Sequence, residues 1–411
     1  MSYLVELTDN LRHRKAAGRV ALLVALLGLC YLLLLNLPTR IYEAVDFLGY
    51  WAAANLLAQG ENPYDTQAML EVQRQQGWQA TEPVYSWNPP WLQVLLIPLG
   101  LLPFRAAAAL WFLVNPLFIG ASVLLVWDTV NLREEHRSAA VPLLAAFLFS
   151  KTAHTLLEGQ INTLVLLGCA SFLALASRRR DYLAGVALAL VTVKPHLTYL
   201  LLPSLLMLLL LRRRWRVVVG LCAFLVLLLC VSSYLYPHWP QSYFALFGVP
   251  ASPSLGTPRA TPNARGLVRH CLGLDVGVWL SAVCLAGFII LIWSRRSELT
   301  LPEIVSLSLI VGLPTSAFGW STDQVLLLIP IVVALSRMRT LRFRDKSITA
   351  LLLLLTYAYA LGAWLVGCRE LAFLPLPLMV GVLWAYVHRK ALPRERMASK
   401  ILLVDQPAED P

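Results

Sequence analysis

Charge is scarce in this 411-residue chain: Asp, Glu, Lys and Arg together make up 14% of it, where a soluble domain carries about a quarter. That shortage excludes an ordinary water-soluble fold. A phosphate-cradling glycine loop and a dinucleotide fingerprint are both missing. The seven cysteines lie mostly inside apolar runs, with Cys271 and Cys368 nearest the expected outer side. None has metal-ligand spacing, so neither a thiol site nor a metal centre is expected. The first apolar run is of spanning length and lacks a small-residue cleavage pattern, so it is expected to stay as an anchor. The net charge is +11, yet no basic domain with interleaved aromatics exists to grip nucleic acid. No convincing repeat relates the two halves.

What the chain has in abundance is apolar sequence: 58% of its residues are hydrophobic and the mean hydropathy is +0.66. These residues gather into runs at 20–37, 106–127, 161–176, 215–236, 276–293, 304–317, 325–335, 348–366 and 371–387. A helix needs roughly 20 residues to cross hydrocarbon, with about 17 as the lower limit. Several runs qualify, and others have the length of half-helices. Unpaired backbone is not tolerated in lipid, so the runs must be helical.

Basic clusters at 12–15, 133–137, 178–180, 212–216, 295–296, 337–346 and 388–396 abut the run ends, and the positive-inside rule puts them in the cytoplasm. Loops 38–88 and 237–275, and the turns at Gln160 and Lys194, then face outside. The expected architecture is all-α: a polytopic membrane protein with about 12 or 13 apolar segments, about 12 of them crossing helices. The short Pro-rich segment 89–102 is expected to enter without a simple full crossing. Residues 1–18 form a cytoplasmic N-terminus, 19–390 the membrane domain, and 391–411 a cytoplasmic tail expected to be disordered.

Residues 47–59 read as a short amphipathic helix lying in the interface, with Phe47, Tyr50, Trp51 and Leu57 facing lipid headgroups. Asp46 takes its N-cap position, where it either caps the helix or acts chemically; the two roles are compatible. Lys194 lies between two apolar stretches, so it is either a lysine snorkelling to the outer interface or a cation that holds a phosphate. His196 and His154 stand close to the same region, and Glu158, Gln160 and Asn162 share one outer turn. In loop 237–275, Arg259, Arg265 and Arg269 break the positive-inside pattern. They either bind an anionic group or sit in an ordinary solvated loop.

The stretch Asp46 to Asp65, with its Gly60-Glu61-Asn62-Pro63-Tyr64 element, is similar to the opening loop of glycosyltransferase family 87, the polyprenol-phosphate-mannose-dependent mannosyltransferases. The resemblance continues through Tyr85-Ser86-Trp87-Asn88-Pro89-Pro90, Glu158-Gly159-Gln160-Ile161-Asn162, Ala184-Gly185 and Val193-Lys194-Pro195 to the basic run 212–216. It covers roughly residues 20–340 in order and spacing. It implies a multi-span enzyme taking a sugar from a polyprenyl phosphate, with Asp46 as the base. The family's pattern has a His after a Ser-Trp near the outer end of a late helix. Here the sequence is Phe318-Gly319-Trp320-Ser321-Thr322-Asp323-Gln324, so the His is absent and Asp323 or Gln324 is expected to stand near its place.

Three function classes follow. The first is a membrane hexosyltransferase of a bacterial inner membrane, active on the outer face, that moves mannose from a polyprenyl-phosphate-linked donor to a lipid or glycan acceptor. In it Asp46 is the base and Lys194, Arg259, Arg265 and Arg269 contact the donor phosphate. Tyr64, Asp65, Gln160, Asn162, His196, Trp320 and Asp323 shape the sugar site. With Lys and Arg supplying positive charge, no metal and no cofactor is expected. The second class is a transporter or flippase of lipid-linked sugars, which usually shows internal repeats. The third is a non-catalytic assembly factor, against which the gathering of polar residues on one face argues.

Overall fold

In the computed structural model, backbone is described for residues 45–131, 138–247 and 261–404 and for Gly28 and Tyr31, with side chains followed as far as Ala391. The rest of the first apolar run 20–37, residues 1–18 expected to be a cytoplasmic N-terminus, the basic cluster at 133–137, Arg259 and residues 405–411 lie outside that set.

Every described element is helical. In chain order they are α1 (Val45–Ala58), α2 (Thr66–Gln75), α3 (Pro90–Gly100), α4 (Phe104–Val130), α5 (Ala140–Leu148), α6 (Ser150–Leu157), α7 (Asn162–Ser177), α8 (Asp181–Val191) and α9 (Leu201–Leu211). Then come α10 (Trp215–Leu235), α11 (Trp239–Leu246), α12 (Ala264–Leu272), α13 (Trp279–Ser294) and α14 (Leu301–Thr315). A 3₁₀ turn, Ser321–Leu327, leads into α15 (Leu328–Arg337), followed by α16 (Phe343–Leu365), a short turn Glu370–Phe373, and α17 (Pro375–Val404). α17 thus runs through the first part of the segment expected to be a disordered tail.

Five stretches are long and apolar enough to cross a membrane: Phe104–Val130, Trp215–Leu235, Ser321–Thr340, Phe343–Leu365 and Glu370–Ala391. The pair α5 and α6, bent by 60°, makes six if it acts as one span. Six more helices are apolar but short of spanning length, so the expected twelve crossings are not reached by length among the described residues. α3 is one of these, in keeping with a segment that enters without a simple crossing. α8 and α9 are a second case: both are 11 residues long, and both end on basic clusters at 178–180 and 212–216. The turn that joins them, residues 192–200, carries Lys194, Pro195 and His196.

α1 departs from the sequence reading. The helix is present, but it is not amphipathic and does not lie in an interface. Phe47, Trp51, Ala52, Ala53, Ala54, Leu56 and Leu57 are all buried, so apolar contact surrounds it. A helix that is hydrophobic all round is a buried helix. The three alanines let α3 come close. A Cβ placed on Gly100 would sit 2.7 Å from the backbone of Ala54 and Asn55, and Asn55 Nδ2 donates to the Gly100 carbonyl at 2.8 Å. On the other side, Phe47 stacks on Trp111 of α4 with ring centroids 5.4 Å apart. Asp46 also lies within the first turn of the helix, not at the N-cap expected.

α8 is clasped between α7 and α10 by the same device. A Cβ on Gly185 would meet the Val217 carbonyl at 2.1 Å, and one on Gly220 would meet the Tyr182 carbonyl at 2.2 Å. Small residues at a helix crossing let backbones touch, the usual basis of tight packing in membranes. These contacts hold α8 against α10 and so fix where the turn 192–200 begins.

Candidate active site

Four chain segments meet where the sequence concentrates its buried polar residues: the first turn of α1, the turn between α6 and α7, the α8–α9 turn, and the 3₁₀ turn Ser321–Leu327. The α6–α7 turn is possible because Gly159 takes a left-handed conformation, φ 64°. Trp111 Nε1 pins it by donating to the Gly159 carbonyl at 2.9 Å. Gln160 then projects into the centre.

Its amide is the hub. Gln160 Nε2 donates to Asp46 Oδ2, while Gln160 Oε1 accepts from Lys194 Nζ at 2.8 Å and from Tyr50 Oη at 3.2 Å. Lys194 Nζ also donates to Asp323 Oδ1 at 3.0 Å. The side chains of this pair are 5% and 1% exposed. Asp323 Oδ2 accepts from the backbone amide of Trp320 at 2.6 Å, which closes the start of the 3₁₀ turn. A carboxylate, an amide, an ammonium and a second carboxylate therefore stand in line. The ammonium has three N–H donors and uses two of them.

Asp46 lies on a 14-residue helix, short of spanning length. Burial pushes its carboxyl up to about 6, against the opposing pull of the Lys194 charge and the Gln160 hydrogen bond. Glu158, on the same turn as Gln160, is pushed up to about 7, first by burial and then by the charge of Asp46. A carboxylate whose affinity for protons is raised toward neutrality is suited to accept one in a reaction near pH 7.

The other expected site residues are distributed as follows. Asn162 begins α7 with its side chain fully buried and neither amide atom hydrogen-bonded. His196 is half-buried beside Lys194. Trp320 is 39% exposed at the rim. Tyr64 lies in a separate but connected cluster: its hydroxyl donates to the Asn88 carbonyl at 3.1 Å, and Asn88 Nδ2 donates to the carbonyl of Val193, the neighbour of Lys194, at 2.8 Å. Asp65 caps α2, accepting from the Ala68 amide at 2.8 Å, so its carboxylate serves the backbone and is not joined to the Asp46 group. Arg265 forms a two-pronged pair with Asp275, at 2.8 and 3.0 Å, and Arg269 reaches the same carboxylate at 3.4 Å. The Arg265 hydrogen bond holds the Asp275 carboxyl far below its ordinary value. Arg265 also donates to the Ala317 carbonyl at 3.1 Å and covers the Phe318 ring, which ties α12 to the segment leading into Trp320.

Sequence reasoning missed Lys151, Ser321 and Glu370. Both Glu370 oxygens accept from Ser321, from its amide at 2.6 Å and its hydroxyl at 2.9 Å. Lys151 is fully buried over the ring of Phe373. The rule that singles out Lys194, an ionisable residue in apolar surroundings, applies equally to Lys151.

A cavity of about 780 Å³ opens at the opposite end of α7, lined by Ser177, Arg212, Thr300 and Arg337 among others. α7 has 16 residues, so it separates that cavity from the Asp46 group by about 24 Å. The cavity is therefore no part of this site.

Among known proteins, the model of glycosyltransferase family 87 matches residues 87–316. The crystal structure of ArnT from Cupriavidus metallidurans bound to undecaprenyl phosphate aligns over 96% of this chain and 82% of that one, at 16% identity and a TM-score of 0.40. That likeness is too distant to carry an inference. No curated protein matches the chain in sequence.

Proposed function

The chain belongs to glycosyltransferase family 87, and on that footing we propose that it moves a hexose, mannose in the first instance, from a polyprenyl-phosphate donor to a lipid or glycan acceptor. The transfer takes place at the outer face of a bacterial inner membrane. The observation that supports this reading best is the line Asp46–Gln160–Lys194–Asp323, a base and a cation joined through one amide.

In the proposed reaction the acceptor hydroxyl gives its proton to Asp46 as its oxygen bonds to the anomeric carbon. The bond from that carbon to the phosphate oxygen breaks, and polyprenyl phosphate leaves with the electron pair. Lys194 offers its third N–H to the phosphate, where negative charge grows. Gln160 holds base and cation at a fixed separation, which is the geometric part of catalysis. Asn162, fully buried at the start of α7, shapes the wall behind the sugar without touching it. His196 and Trp320 complete the rim. Arg265 and Arg269 contribute by exchanging Asp275 for the donor phosphate. The positive charge needed is thus supplied by side chains, without a metal.

The test is sugar transfer from radiolabelled polyprenyl-phosphate-mannose into membrane lipids, with wild type and Asp46→Asn at matched expression. Transfer that collapses in the variant supports the reading. Equal transfer in both removes Asp46 from the chemistry. No transfer by wild type from any polyprenyl-phosphate sugar overturns the proposal.

A further inference from the structure

The family match ends at residue 316, yet Asp323 lies beyond it, and so does part of what holds Asp323 in place. Seven residues, Ser321–Leu327, form a 3₁₀ helix. Such helices have poor hydrogen-bond geometry and rarely exceed about 3–4 residues, so a run this long depends on contacts from outside itself. Those contacts come from two sides.

On one side is the turn Glu370–Phe373, between the last two helices. Glu370 takes the Ser321 amide and hydroxyl on its two oxygens, at 2.6 and 2.9 Å. Gln324 Nε2 donates to the Phe373 carbonyl at 2.8 Å. On the other side is α6. Thr155 Oγ1 donates to the Thr322 carbonyl at 2.8 Å, and His154 Nδ1 lies 3.3 Å from Ser321 Oγ. Ser321, His154 and Glu158 resemble a nucleophile–base–acid line, since His154 Nε2 stands 3.7 Å from Glu158. Ser321 is fully buried, however, and its hydroxyl is given to Glu370, so no substrate reaches it.

We propose that Glu370 is a positioning residue for sugar transfer, gripping Ser321 so that Asp323, two residues on, meets Lys194. This rests on the reading of Lys194 as the donor-phosphate cation. Removal of the grip lets the 3₁₀ turn loosen, and Asp323 then no longer fixes the direction of the Lys194 ammonium. The Glu370 carboxylate is itself matched by Lys151, which sits 3.3 Å over the Phe373 ring centroid in the same turn and makes no hydrogen bond. The C-terminal helix pair thus reaches back to complete a site whose other members lie in the first half of the chain and in the 3₁₀ turn.

The experiment uses the full chain in liposomes, with Glu370→Gln, Ser321→Ala and the double variant. Two readouts are taken: hydrogen exchange over residues 317–325, and kcat and donor KM with polyprenyl-phosphate-mannose. Exchange in that segment is expected to quicken in Glu370→Gln. Donor KM is expected to rise about tenfold, the scale of a lost hydrogen bond to a charged group. Ser321→Ala gives a smaller rise, and the double variant matches Glu370→Gln alone. Unchanged exchange, additive defects, or a fall in kcat at unchanged KM each overturn the proposal. The last of these is what a thinned population of folded enzyme produces.

If Glu370→Gln alone does not fold, Lys151→Met/Glu370→Gln removes both charges together and carries the same readouts. Wild type that transfers normally and depends on Lys194, beside an equally active Glu370→Gln, overturns this proposal alone. Wild type inactive with every donor overturns the transferase reading and this role with it.

Discussion

Replacing Lys194 by Met separates what the ammonium does for folding from what it does for chemistry. The side chain keeps its length and loses its charge. Asp323 Oδ1 then loses its 3.0 Å partner and Gln160 Oε1 its 2.8 Å partner. Both sites are buried, and Asp323 is 1% exposed. Breaking a buried pair by removing one partner costs about 3–5 kcal/mol, most of it the cost of the stranded charge. Lys194→Met should therefore lower thermal stability strongly. Adding Asp323→Asn removes the stranded charge, and the amide oxygen still accepts a hydrogen bond. The double variant should regain most of the lost stability, because neutral replacement of a buried ion pair is often close to neutral in cost. Activity should behave otherwise. An electrostatic contact to a leaving group is worth about 100- to 1000-fold in rate, and neutralising Asp323 cannot restore it. The assay is a thermal-unfolding midpoint in detergent beside initial transfer rates for all three proteins. A double variant that regains stability and transfer together refutes the phosphate role. A single variant as stable as wild type refutes the buried pair.

Three other outcomes follow from the geometry. Because burial raises the Asp46 carboxyl to about 6, the base is ionised above that pH and protonated below it; transfer should fall about tenfold per pH unit below 6, and Asp46→Asn should lose about 100- to 10,000-fold with no such pH limb. Gly185→Ala drives a methyl into the Val217 carbonyl, 2.1 Å from the ideal Cβ, and should destabilise by about 1–3 kcal/mol as overpacking does; an unfolding midpoint equal to wild type would show that α8 and α10 give way freely. Asp65→Ala should cost about 1 kcal/mol by removing the α2 cap, while Asp65→Asn keeps the cap and should leave transfer rates unchanged; a loss of transfer at unchanged stability would return that carboxylate to the site.

The long helices were legible because their signal is length and apolarity: the runs at 106–127, 215–236 and 348–366 correspond to α4, α10 and α16, each with ends within a few residues. α1 was misread for a physical reason. Its aromatic residues suit an interface, but the three consecutive alanines beside them are what let α3 approach, and spacing alone does not say that a partner exists. The bent α5–α6 pair was passed over because Ser150-Lys151-Thr152 interrupts it, which hid Lys151 as well. In the candidate site, Lys194 stood out as an ionisable residue in apolar company, Asp46 as a helix cap, and Gln160 and Asp323 through the family resemblance; the structure brings all four together. Glu370 did not, since a glutamate in a short outer loop resembles any solvated residue until its partner 49 positions earlier is known.

The Lys194–Asp323 ion pair also has a consequence in time. Lys194 and Asp323 are 129 residues apart, so at a synthesis rate of about 5–20 residues per second the lysine exists for roughly 6–26 seconds before its counter-ion leaves the ribosome. Throughout that interval a basic turn must wait at the membrane without the carboxylate that will hold it, and Glu370 emerges later still. A chain stalled or cut short after α14 would therefore carry Asp46 and Lys194 joined through Gln160 but would lack the carboxylate that neutralises the lysine.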